Sequence, residues 1–522
     1  KRVAVWGAGR EGRAAYEALE RRLPGLLVAV ICRESEKAEV LGWGSDPAFT
    51  PIPDPSPLKG EGRISGAGDA PFQRATASQS AGARSAPFQR ATASQSARAR
   101  SAPFPLEGGR AGDGGERSRE ILTTEPNAQL LQQFDLIIKS PGITPYQPCV
   151  SEAQSTGVRF LSGTALWFAE HPEARVIAVT GTKGKSTTTA LIAHLLRAAG
   201  KRVALAGNIG VPLLELLDPP QLPDWWVVEL SSFQTRDMEA VPEIAVVLNV
   251  HEEHLDWHGD AAHYHADKLA LLGSPGRRPR ASVIDARRAL PAGFEPEVGV
   301  VRFGAAPGFD VADGAIRRDG RQVLALEELP LPGLHNALNL CAALAAVEAA
   351  GENAAALAGS VRRFRPLPHR LQVLGEREGL TWVNDSIATT PVASIAALAH
   401  YHDREVAVIV GGYDRGVDWT PFRDAVRAAP PRAIVLVGAN AARVAATLDG
   451  LPPDAPRIER AGDLAHAIAT ARAILPPGGV VLLSPGAPSF DAFRDYAERG
   501  RRFAALAGFD PASISSIEGL GL

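Results

Sequence analysis

The feature that most constrains the fold is a glycine-rich loop set between a short apolar run and a helical pattern. Residues 176–179 read as a buried strand and lead directly into TGTKGKST at 180–187. Apolar residues at helical spacing follow until Gly200, a residue type that commonly ends a helix. This order favours an α/β fold in which backbone N–H groups and a helix N-terminus surround a polyphosphate.

Each residue type in this loop fits nucleotide chemistry. Gly181 and Gly184 allow close approach of the backbone to phosphate, Lys185 can reach the β- and γ-phosphates, and the Ser186 hydroxyl can ligate Mg²⁺. The pattern GxxxxGK[ST] is not met strictly, because Val179 stands five residues before Gly184. A glycine turn with a chance Lys-Ser pair is the alternative, but the flanking strand and helix favour a site for ATP and Mg²⁺.

Side chains that could hold a metal ion end the next two apolar runs. Glu229 ends one run, and His251 and His254 follow the other. Ligands of open α/β sheets bind at the carboxyl ends of the strands. A solvated or capping Glu229 is the alternative. The histidine spacing could also indicate Zn²⁺, but no third protein ligand is evident, and the implied triphosphate favours Mg²⁺.

A second glycine pattern opens the chain. The apolar run at 3–6 is followed by Gly7, Gly9 and Gly12 in GxGxxG spacing and then by a helical pattern. The usual dinucleotide interpretation requires an acidic residue at the end of the second strand. Cys32 stands there instead, which argues against a nicotinamide oxidoreductase.

Apolar runs and helical stretches alternate along most of the chain, which favours parallel α/β sheets. A length of 522 residues indicates two to four domains. The predicted strands lie at residues 3–6, 26–31, 134–139, 176–179, 226–230, 244–250, 406–410, 434–437 and 480–483.

The segment at about 45–119 interrupts this alternation. It is rich in Pro, Gly, Ser, Ala and Arg, and it contains a 16-residue direct repeat at 70–85 and 86–101. Such a composition buries too little apolar surface to offset the entropy of ordering. We therefore predict a disordered surface insertion, with a docking segment as the alternative.

Charge and composition indicate which classes of partner and which cellular compartment to expect. The formal net charge of -3 gives no reason to expect nucleic acid or an anionic membrane surface. The three cysteines are far apart, and no window approaches 18 apolar residues. The first residues enter a strand instead of a signal-peptide pattern. We expect a cytoplasmic protein, a monomer, with small-molecule partners and neither nucleic acid nor membrane.

A set of motifs runs through nearly the whole chain outside the insertion. In this order they resemble the Mur ligase family, and within it the type that adds glutamate to UDP-N-acetylmuramoyl-L-alanine. The motifs are TGTKGKSTT at 180–188, GNIG at 207–210, ELSSFQ at 229–234, NVHEEHLDWHG at 249–259, HNALN at 335–339, LPHR at 367–370, NDSIATTP at 384–391 and LLSPGAPSFDAF at 482–493.

The resemblance implies an ATP-dependent ligase of peptidoglycan precursor synthesis that forms an acyl phosphate and then an amide. It implies a three-domain α/β fold: a Rossmann-like uridine-nucleotide domain at 1–163, a central P-loop ATPase domain with a parallel sheet at 164–367, and a Rossmann-like C-terminal domain at 368–522 that closes over the site. Folylpolyglutamate-synthase-like ligases share the ATPase centre but would not need the N-terminal domain. A P-loop kinase is a further alternative.

The resemblance also assigns residues. The expected catalytic residues are Lys185, His254, Lys268 and Arg370. Expected ATP contacts are Gly181, Thr182, Lys183, Gly184, Lys185, Ser186, Thr187, Asn336, Asn339, Arg370 and Asp385. Ligands for a pair of Mg²⁺ ions would be Ser186, Glu229, His254 and Lys268, the last as a carbamate. Without the resemblance Lys268 could equally be an exposed helix charge. Expected contacts to the uridine-linked substrate and glutamate are Gly7, Gly9, Gly12, Ser140, Pro141, Gly142, Asn208, Thr389, Arg415, Ser489 and Tyr496.

The glutamate-side motifs depart from those of the D-glutamate enzymes. Ile387 and Arg415 each stand where that type has a lysine, and 486–488 replaces an ACA-like run. Arginine binds carboxylates through a planar fork, unlike the point charge of lysine. We therefore favour the L-glutamate-adding variant, with the D-glutamate-adding enzyme as the alternative.

Overall fold

The computed structural model describes residues 2–43, 120–274, 276–294, 296, 299–331, 333–451, 456–514, 517 and 519–521. The predicted disordered insertion at 45–119 lies outside these residues. The described chain forms three sheets in succession, all mainly parallel. The prediction of a three-domain α/β protein is confirmed.

The N-terminal sheet is entirely parallel, with strand order β3-β2-β1-β4-β5. Its strands are β1 (Val3–Trp6), β2 (Val28–Ile31), β3 (Ile121–Leu122), β4 (Leu136–Lys139) and β5 (Arg159–Ser162). The helices of this part are α1 (Arg10–Arg22), α2 (Lys37–Leu41), α3 (Ala128–Leu131), α4 (Pro148–Ser155) and α5 (Gly163–Glu170).

The central sheet has nine strands in the order β14-β13-β12-β11-β10-β9-β6-β8-β7, of which β12 to β14 are antiparallel. Its strands are β6 (Val176–Thr180), β7 (Val203–Gly207), β8 (Trp225–Glu229), β9 (Ile244–Val247), β10 (Ala281–Asp285), β11 (Val300–Phe303), β12 (Phe309–Ala312), β13 (Ala315–Arg318) and β14 (Arg321–Ala325). Its helices are α6 (Lys185–Ala198), α7 (Ser232–Thr235), α8 (Leu255–His258), α9 (Ala261–Leu269), α10 (Leu334–Ala349) and α11 (Ala354–Leu357).

The C-terminal sheet has the order β15-β16-β20-β17-β18-β19, with β15 and β16 antiparallel. Its strands are β15 (Gln372–Arg377), β16 (Leu380–Asn384), β17 (Val406–Val410), β18 (Ala433–Leu436), β19 (Arg457–Arg460) and β20 (Val480–Leu483). Its helices are α12 (Pro391–His400), α13 (Thr420–Ala428), α14 (Ala441–Leu448), α15 (Leu464–Ile474) and α16 (Tyr496–Leu506).

Strands β6 to β10 of the central sheet are buried on both faces, so their sequences are nearly continuous apolar runs. In β6, Ile177 and Val179 pack in a core with α6 and α10, whereas Val176 and Ala178 pack in a second core. That second core also contains residues of α1 and α5. The central strands are therefore covered on one face by their own helices and on the other partly by helices of the N-terminal part.

Buried polar contacts fix the N-terminal part to the central part. Lys139, at the end of β4, forms an ion pair with Asp237 at 2.6 Å, and both side chains are buried. The hydroxyl of Tyr146 donates to the Asp267 carboxylate at 2.8 Å. Buried pairs of this kind depend on exact partners because an unpaired charge is costly to bury.

The last described residues return to the central sheet. Gly521 pairs with Leu205 of the edge strand β7 through two backbone hydrogen bonds of 2.7 and 2.8 Å. Ile517 and Leu520 pack partly buried against the core around α6. The C-terminal part is thus attached to the central part both by the segment before β15 and by this returning tail.

The predicted boundary between residues 163 and 164 falls at the start of α5, and the boundary between 367 and 368 falls in the segment before β15. Both boundaries stay predictions. No helix in the described part of the chain is long and apolar enough to cross a membrane.

Candidate active site

The phosphate loop joins β6 to α6 through two glycines in conformations that other residues rarely adopt. Gly181 has φ +150° and Gly184, the residue before α6, has φ +87°. A Cβ on Gly184 would lie 2.4 Å from Oδ1 of Asn339. A side chain at either position would be strained, and at Gly184 it would also clash. The loop therefore requires glycine here, and a backbone without side chains can approach a phosphate closely, as the prediction requires.

The segment after β9 holds this loop in place. The Thr182 hydroxyl donates to the carbonyl of His251 at 3.0 Å and accepts from its N–H at 2.8 Å. The hydroxyl of Tyr264 lies 2.8 Å from the same oxygen. Asn249 accepts from the N–H of Lys183 at 2.8 Å and donates to its carbonyl at 3.0 Å. The roles of Tyr264 and Asn249 were not predicted from the sequence, since each side chain contacts a motif far away along the chain.

Two lysine amines converge on one carbonyl of the loop. Lys185 donates to the carbonyl of Gly181 at 2.9 Å, and Lys268, from α9, donates to the same carbonyl at 3.0 Å. Burial lowers the pKa of Lys185. Burial, followed by the neighbouring charge of Lys185, lowers the pKa of Lys268 to about 7. The interpretation of Lys268 as an exposed helix charge is wrong, because the residue is 3% exposed.

Glu229 lies beside the start of the phosphate loop, since β8 pairs with β6 so that Glu229 is opposite Val179. One carboxylate oxygen accepts from the side-chain amide of Asn208 at 2.8 Å. The other oxygen is buried and has no hydrogen-bond partner among the described residues. A buried carboxylate oxygen without a partner is costly, and a bound cation would satisfy it.

His254 is the second predicted metal ligand on this side. It precedes α8 with φ +57°, and its ring centroid lies 5.1 Å from that of Phe233. Burial lowers its pKa, which favours the neutral ring that a metal requires. The described residues contain no cluster of three or more His, Cys, Asp or Glu side chains that could hold a metal. The unpartnered carboxylate oxygen of Glu229 is the kind of ligand that Mg²⁺ prefers.

Arg370 brings the C-terminal part to the phosphate loop. One of its terminal nitrogens donates to the Ser186 hydroxyl at 3.4 Å, while its Nε is buried and has no partner among the described residues. Its neighbours His369 and Leu371 have φ +60° and +42°. Non-glycine residues adopt such conformations at an energetic cost, so the surrounding structure must hold this segment.

Asp385 supports that segment from the end of β16. Its carboxylate accepts from the N–H of Leu371 at 3.0 Å and from the Ser484 hydroxyl at 2.8 Å. Burial raises the pKa of Asp385 to about 6. Of the remaining predicted ATP contacts, Asn339 donates to Asn336 at 3.3 Å in the first turns of α10, and the side chain of Thr187 is buried in α6.

The N-terminal glycine turn is equally crowded. A Cβ on Gly7, which has φ +114°, would lie 2.4 Å from the Ser140 hydroxyl, and one on Gly12 would lie 2.0 Å from the carbonyl of Gly7. Gly9 immediately precedes α1. The Ser140 hydroxyl is buried without a hydrogen-bond partner in the described structure. Pro141 and Gly142 form the turn that follows. The predicted residues for the uridine-linked substrate therefore lie together.

Arg10 connects this turn to the loop that carries Asn208. Its guanidinium pairs with both carboxylate oxygens of Glu215 at 2.7 Å and also donates to the carbonyl of Gly210. Asn208 in turn donates its backbone N–H to the carbonyl of Glu229 at 2.9 Å. The contacts of Arg10 were not predicted, because a single arginine within a glycine motif gives no indication of a distant partner.

The four predicted glutamate contacts lie on three loops and one helix start. Thr389, Arg415 and Ser489 follow the carboxyl ends of β16, β17 and β20, which are neighbours in the sheet. Ser489 is buried, whereas Arg415 is exposed. Tyr496 begins α16. The loops after β17 and β20 touch, since the N–H of Tyr413 donates to the carbonyl of Pro488 at 2.9 Å.

Known proteins resemble the chain over its whole length. The model of the Mur ligase middle domain matches residues 179–347, and that of the Mur ligase glutamate ligase domain matches residues 369–486. A UDP-N-acetylmuramoyl-L-alanine–L-glutamate ligase of Xanthomonas euvesicatoria pv. vesicatoria is 45% identical, over 100% of this chain and 98% of that protein. The ligase of the same name from Xylella fastidiosa strain 9a5c is 51% identical, with the same coverage of both chains.

The fold has a solved counterpart. The crystal structure of the UDP-N-acetylmuramate-alanine ligase MurC from Thermotoga maritima aligns with a TM-score of 0.54 over 97% of this chain and 98% of that chain, at 17% identity. At that identity the likeness concerns the fold alone. With both domain models matched and close relatives along its full length, the chain belongs to the Mur ligase family of ATP-dependent amide-forming ligases.

Proposed function

We propose that this protein joins L-glutamate to the alanyl carboxylate of UDP-N-acetylmuramoyl-L-alanine, with conversion of ATP to ADP and phosphate. The observation that carries the proposal is the full-length match to ligases named for that reaction. The geometry supports it, because Arg370 links the phosphate loop to the part of the chain in which glutamate would bind. The product would be a precursor of peptidoglycan.

The first step must activate a poor electrophile. At neutral pH the alanyl carboxylate is an anion, so its oxygen attacks the γ-phosphorus of ATP, the bond to the β-phosphate oxygen breaks, and ADP and an acyl phosphate result. The protein forms no covalent bond to the substrates in this step. It accelerates the reaction by aligning the carboxylate with ATP and by neutralising the negative charge of the phosphates. Lys185 and Arg370 are the cations placed for this role.

The residues beside the loop fit Mg²⁺. Glu229 offers an unpaired buried carboxylate oxygen, His254 a neutral ring and Ser186 a hydroxyl. When bound, the metal neutralises charge on the transferring phosphoryl group. We propose that a pair of ions is held here, the second with the help of Lys268.

Lys268 is proposed to act as a carbamate. Its neutral amine nitrogen would form a bond to the carbon of CO₂ and release one proton, which gives an anionic oxygen ligand. A pKa of about 7, compared with the ordinary 10.5, makes the neutral amine on the order of a thousandfold more abundant at neutral pH. The conversion also removes one of two cations that share the Gly181 carbonyl.

In the second step the free amine of glutamate attacks the acyl carbon, and the tetrahedral intermediate collapses to the amide and phosphate. Water would destroy the acyl phosphate, so the C-terminal part must exclude it. Thr389, Arg415, Ser489 and Tyr496 are proposed to hold the amino acid. The fork of Arg415 suits a carboxylate held through two parallel hydrogen bonds.

The preference for L-glutamate rests on the names of the relatives and on Ile387 and Arg415, which stand where the D-glutamate enzymes have lysines. The D-glutamate-adding reaction is the alternative. A folylpolyglutamate-synthase-like role is disfavoured because the N-terminal sheet with its glycine turn is present. We further propose that the protein acts as a monomer in the cytoplasm, where ATP and the nucleotide-linked substrate are found.

The test is a discriminating assay. Purified protein is incubated with ATP, Mg²⁺, UDP-N-acetylmuramoyl-L-alanine and either L- or D-glutamate, and phosphate release and product mass are measured. We expect phosphate release and a mass gain of one glutamyl residue with L-glutamate. The same product with D-glutamate alone would assign the alternative, and no turnover with either enantiomer would refute the proposal.

A further inference from the structure

Arg499 is a buried arginine beneath the glutamate side of the site. It lies in the first turn of α16 and is 4% exposed. Its Nε donates to the Ser386 hydroxyl at 3.0 Å, one terminal nitrogen donates to the Ser386 carbonyl at 2.8 Å, and the other donates to the Ala487 carbonyl at 3.0 Å. A single planar group thus ties the loop after β16 to the loop after β20.

The third loop closes on the same guanidinium. Gly412, after β17, has φ +155°, and a Cβ there would lie 3.2 Å from a terminal nitrogen of Arg499 and 2.3 Å from the carbonyl of Pro488. The side chain of Asn440 accepts from the Gly412 N–H at 2.9 Å. All three loops that carry Thr389, Arg415 and Ser489 therefore meet around Arg499.

The charge of Arg499 lacks a carboxylate partner. In the described part of the chain it forms no ion pair, and the carboxylate whose charge acts on it is that of Asp491. Burial lowers its pKa to about 10, so it stays a cation at neutral pH. Burying an unpaired cation is expensive and calls for a compensating role.

The ligand chemistry supplies such a role. The attacking amine of glutamate must be neutral, so the reactive amino acid carries a full charge on each of two carboxylates. Ile387, next to Ser386 in the loop that carries Thr389, provides no cation. A fixed positive charge directly below this loop lowers the cost of bringing a dianion into the pocket.

We propose that Arg499 is a positioning residue for the incoming amino acid: it holds the three glutamate-side loops in one arrangement and supplies the buried charge that Ile387 does not. The inference rests on the proposed function and deepens it. Because each of its three guanidinium nitrogens donates to Ser386 or Ala487, we assign Arg499 a role through these loops and through its charge.

The experiment compares Arg499→Met and Arg499→Lys with Arg502→Met, an exposed cation of the same helix. Initial rates of phosphate release are measured with glutamate varied at saturating ATP and acceptor, and then with ATP varied. For Arg499→Met we expect the KM for glutamate to rise on the order of 10- to 100-fold, with the KM for ATP within about twofold. Arg499→Lys should recover part of this loss, and Arg502→Met should match the unaltered protein.

An unchanged KM for glutamate, or an equal rise in the KM for ATP, would overturn the proposal, since a purely structural role affects both substrates. If Arg499→Met fails to fold, Arg499→Lys decides by the same criterion, because it keeps the charge and loses the fork. Activity of the unaltered protein with glutamate is measured first. Its absence would refute the proposed function and, with it, the glutamate role of Arg499, whereas normal activity of the unaltered protein with an unchanged KM for glutamate in Arg499→Met would refute the role of Arg499 alone.

Discussion

The phosphate side and the glutamate side of the site are built in opposite ways. The phosphate loop is one short segment with two glycines at positive φ, and the segment after β9 holds it in place through His251 and Asn249. The glutamate side is assembled from three loops that are far apart in the chain and meet around Arg499. A site made by local backbone geometry can be identified from sequence, whereas a site made by convergence requires the fold.

The largest effect should come from the amine of the phosphate loop. Lys185→Ala is expected to lower kcat for ADP formation by about 10³-fold or more, since it removes a charge that stabilises the transferring phosphoryl group. The loss should appear whatever the glutamate concentration. Lys201→Ala, which removes a lysine that pairs with Glu352 on the surface, is the matched control. Normal ADP formation by the Lys185→Ala protein would contradict the assignment of residues 180–187 as the phosphate side of the site.

Lys268 extends the phosphate side beyond the loop. Lys268→Ala is expected to lower kcat by about 10²-fold, since it deletes the carbamate ligand, and added short carboxylates should restore part of the rate. Activity of the unaltered protein should also fall when CO₂ is removed and return when bicarbonate is added. Full activity of Lys268→Ala without added carboxylate would refute the carbamate proposal. The phosphate side would then consist of residues 180–187 without Lys268.

The smallest effect is expected from glycine substitutions at the two ends of α6. They test whether the shape of the phosphate loop depends on its own glycines. Gly184 and Gly200 have similar φ values of +87° and +79°, but an added Cβ meets Asn339 at the first and nothing within 4 Å at the second. Both alanine variants should lose about 1 kcal/mol of unfolding free energy from backbone strain. Gly184→Ala alone should also raise the KM for ATP, by about tenfold, because the loop must move. Chemical denaturation and ATP titration of rates measure the two effects, and equal KM values would contradict the crowding argument.

The sequence predicted nine of the parallel strands, because buried strands are apolar on both faces, but the parallel strands β3, β5, β7, β10, β11 and β19 were not predicted. β17 and β20 lie at the predicted residues 406–410 and 480–483. β9 ends at Val247, before the predicted 250, because the carbonyl of Asn249 accepts from the N–H of Thr182 in the phosphate loop instead of continuing the sheet. The antiparallel β13 and β14 were not predicted. Their half-exposed arginines, such as Arg317 and Arg318, obscure the apolar pattern.

The residues of the site also divide into those that local sequence patterns predict and those that depend on distant contacts. Glycines with positive φ, Lys185 and Glu229 are visible from spacing and strand ends. Arg499, Arg10 and Tyr264 were missed, since each acts on a segment more than 75 residues away in numbering and resembles an ordinary helix residue in its own surroundings. Whether the pocket takes L- or D-glutamate belongs to this second group, because it depends on how the three loops are placed.

The returning tail limits how the last third of the molecule can move. The C-terminal sheet is joined to the central sheet by the segment around Arg370 and again where Gly521 pairs with Leu205. A movement of the C-terminal part away from the central part therefore has to preserve or break the backbone hydrogen bonds of Gly521 as well as the contact of Arg370. The edge of β7 is thus part of the cost of opening the site, although it lies outside the residues assigned to substrate.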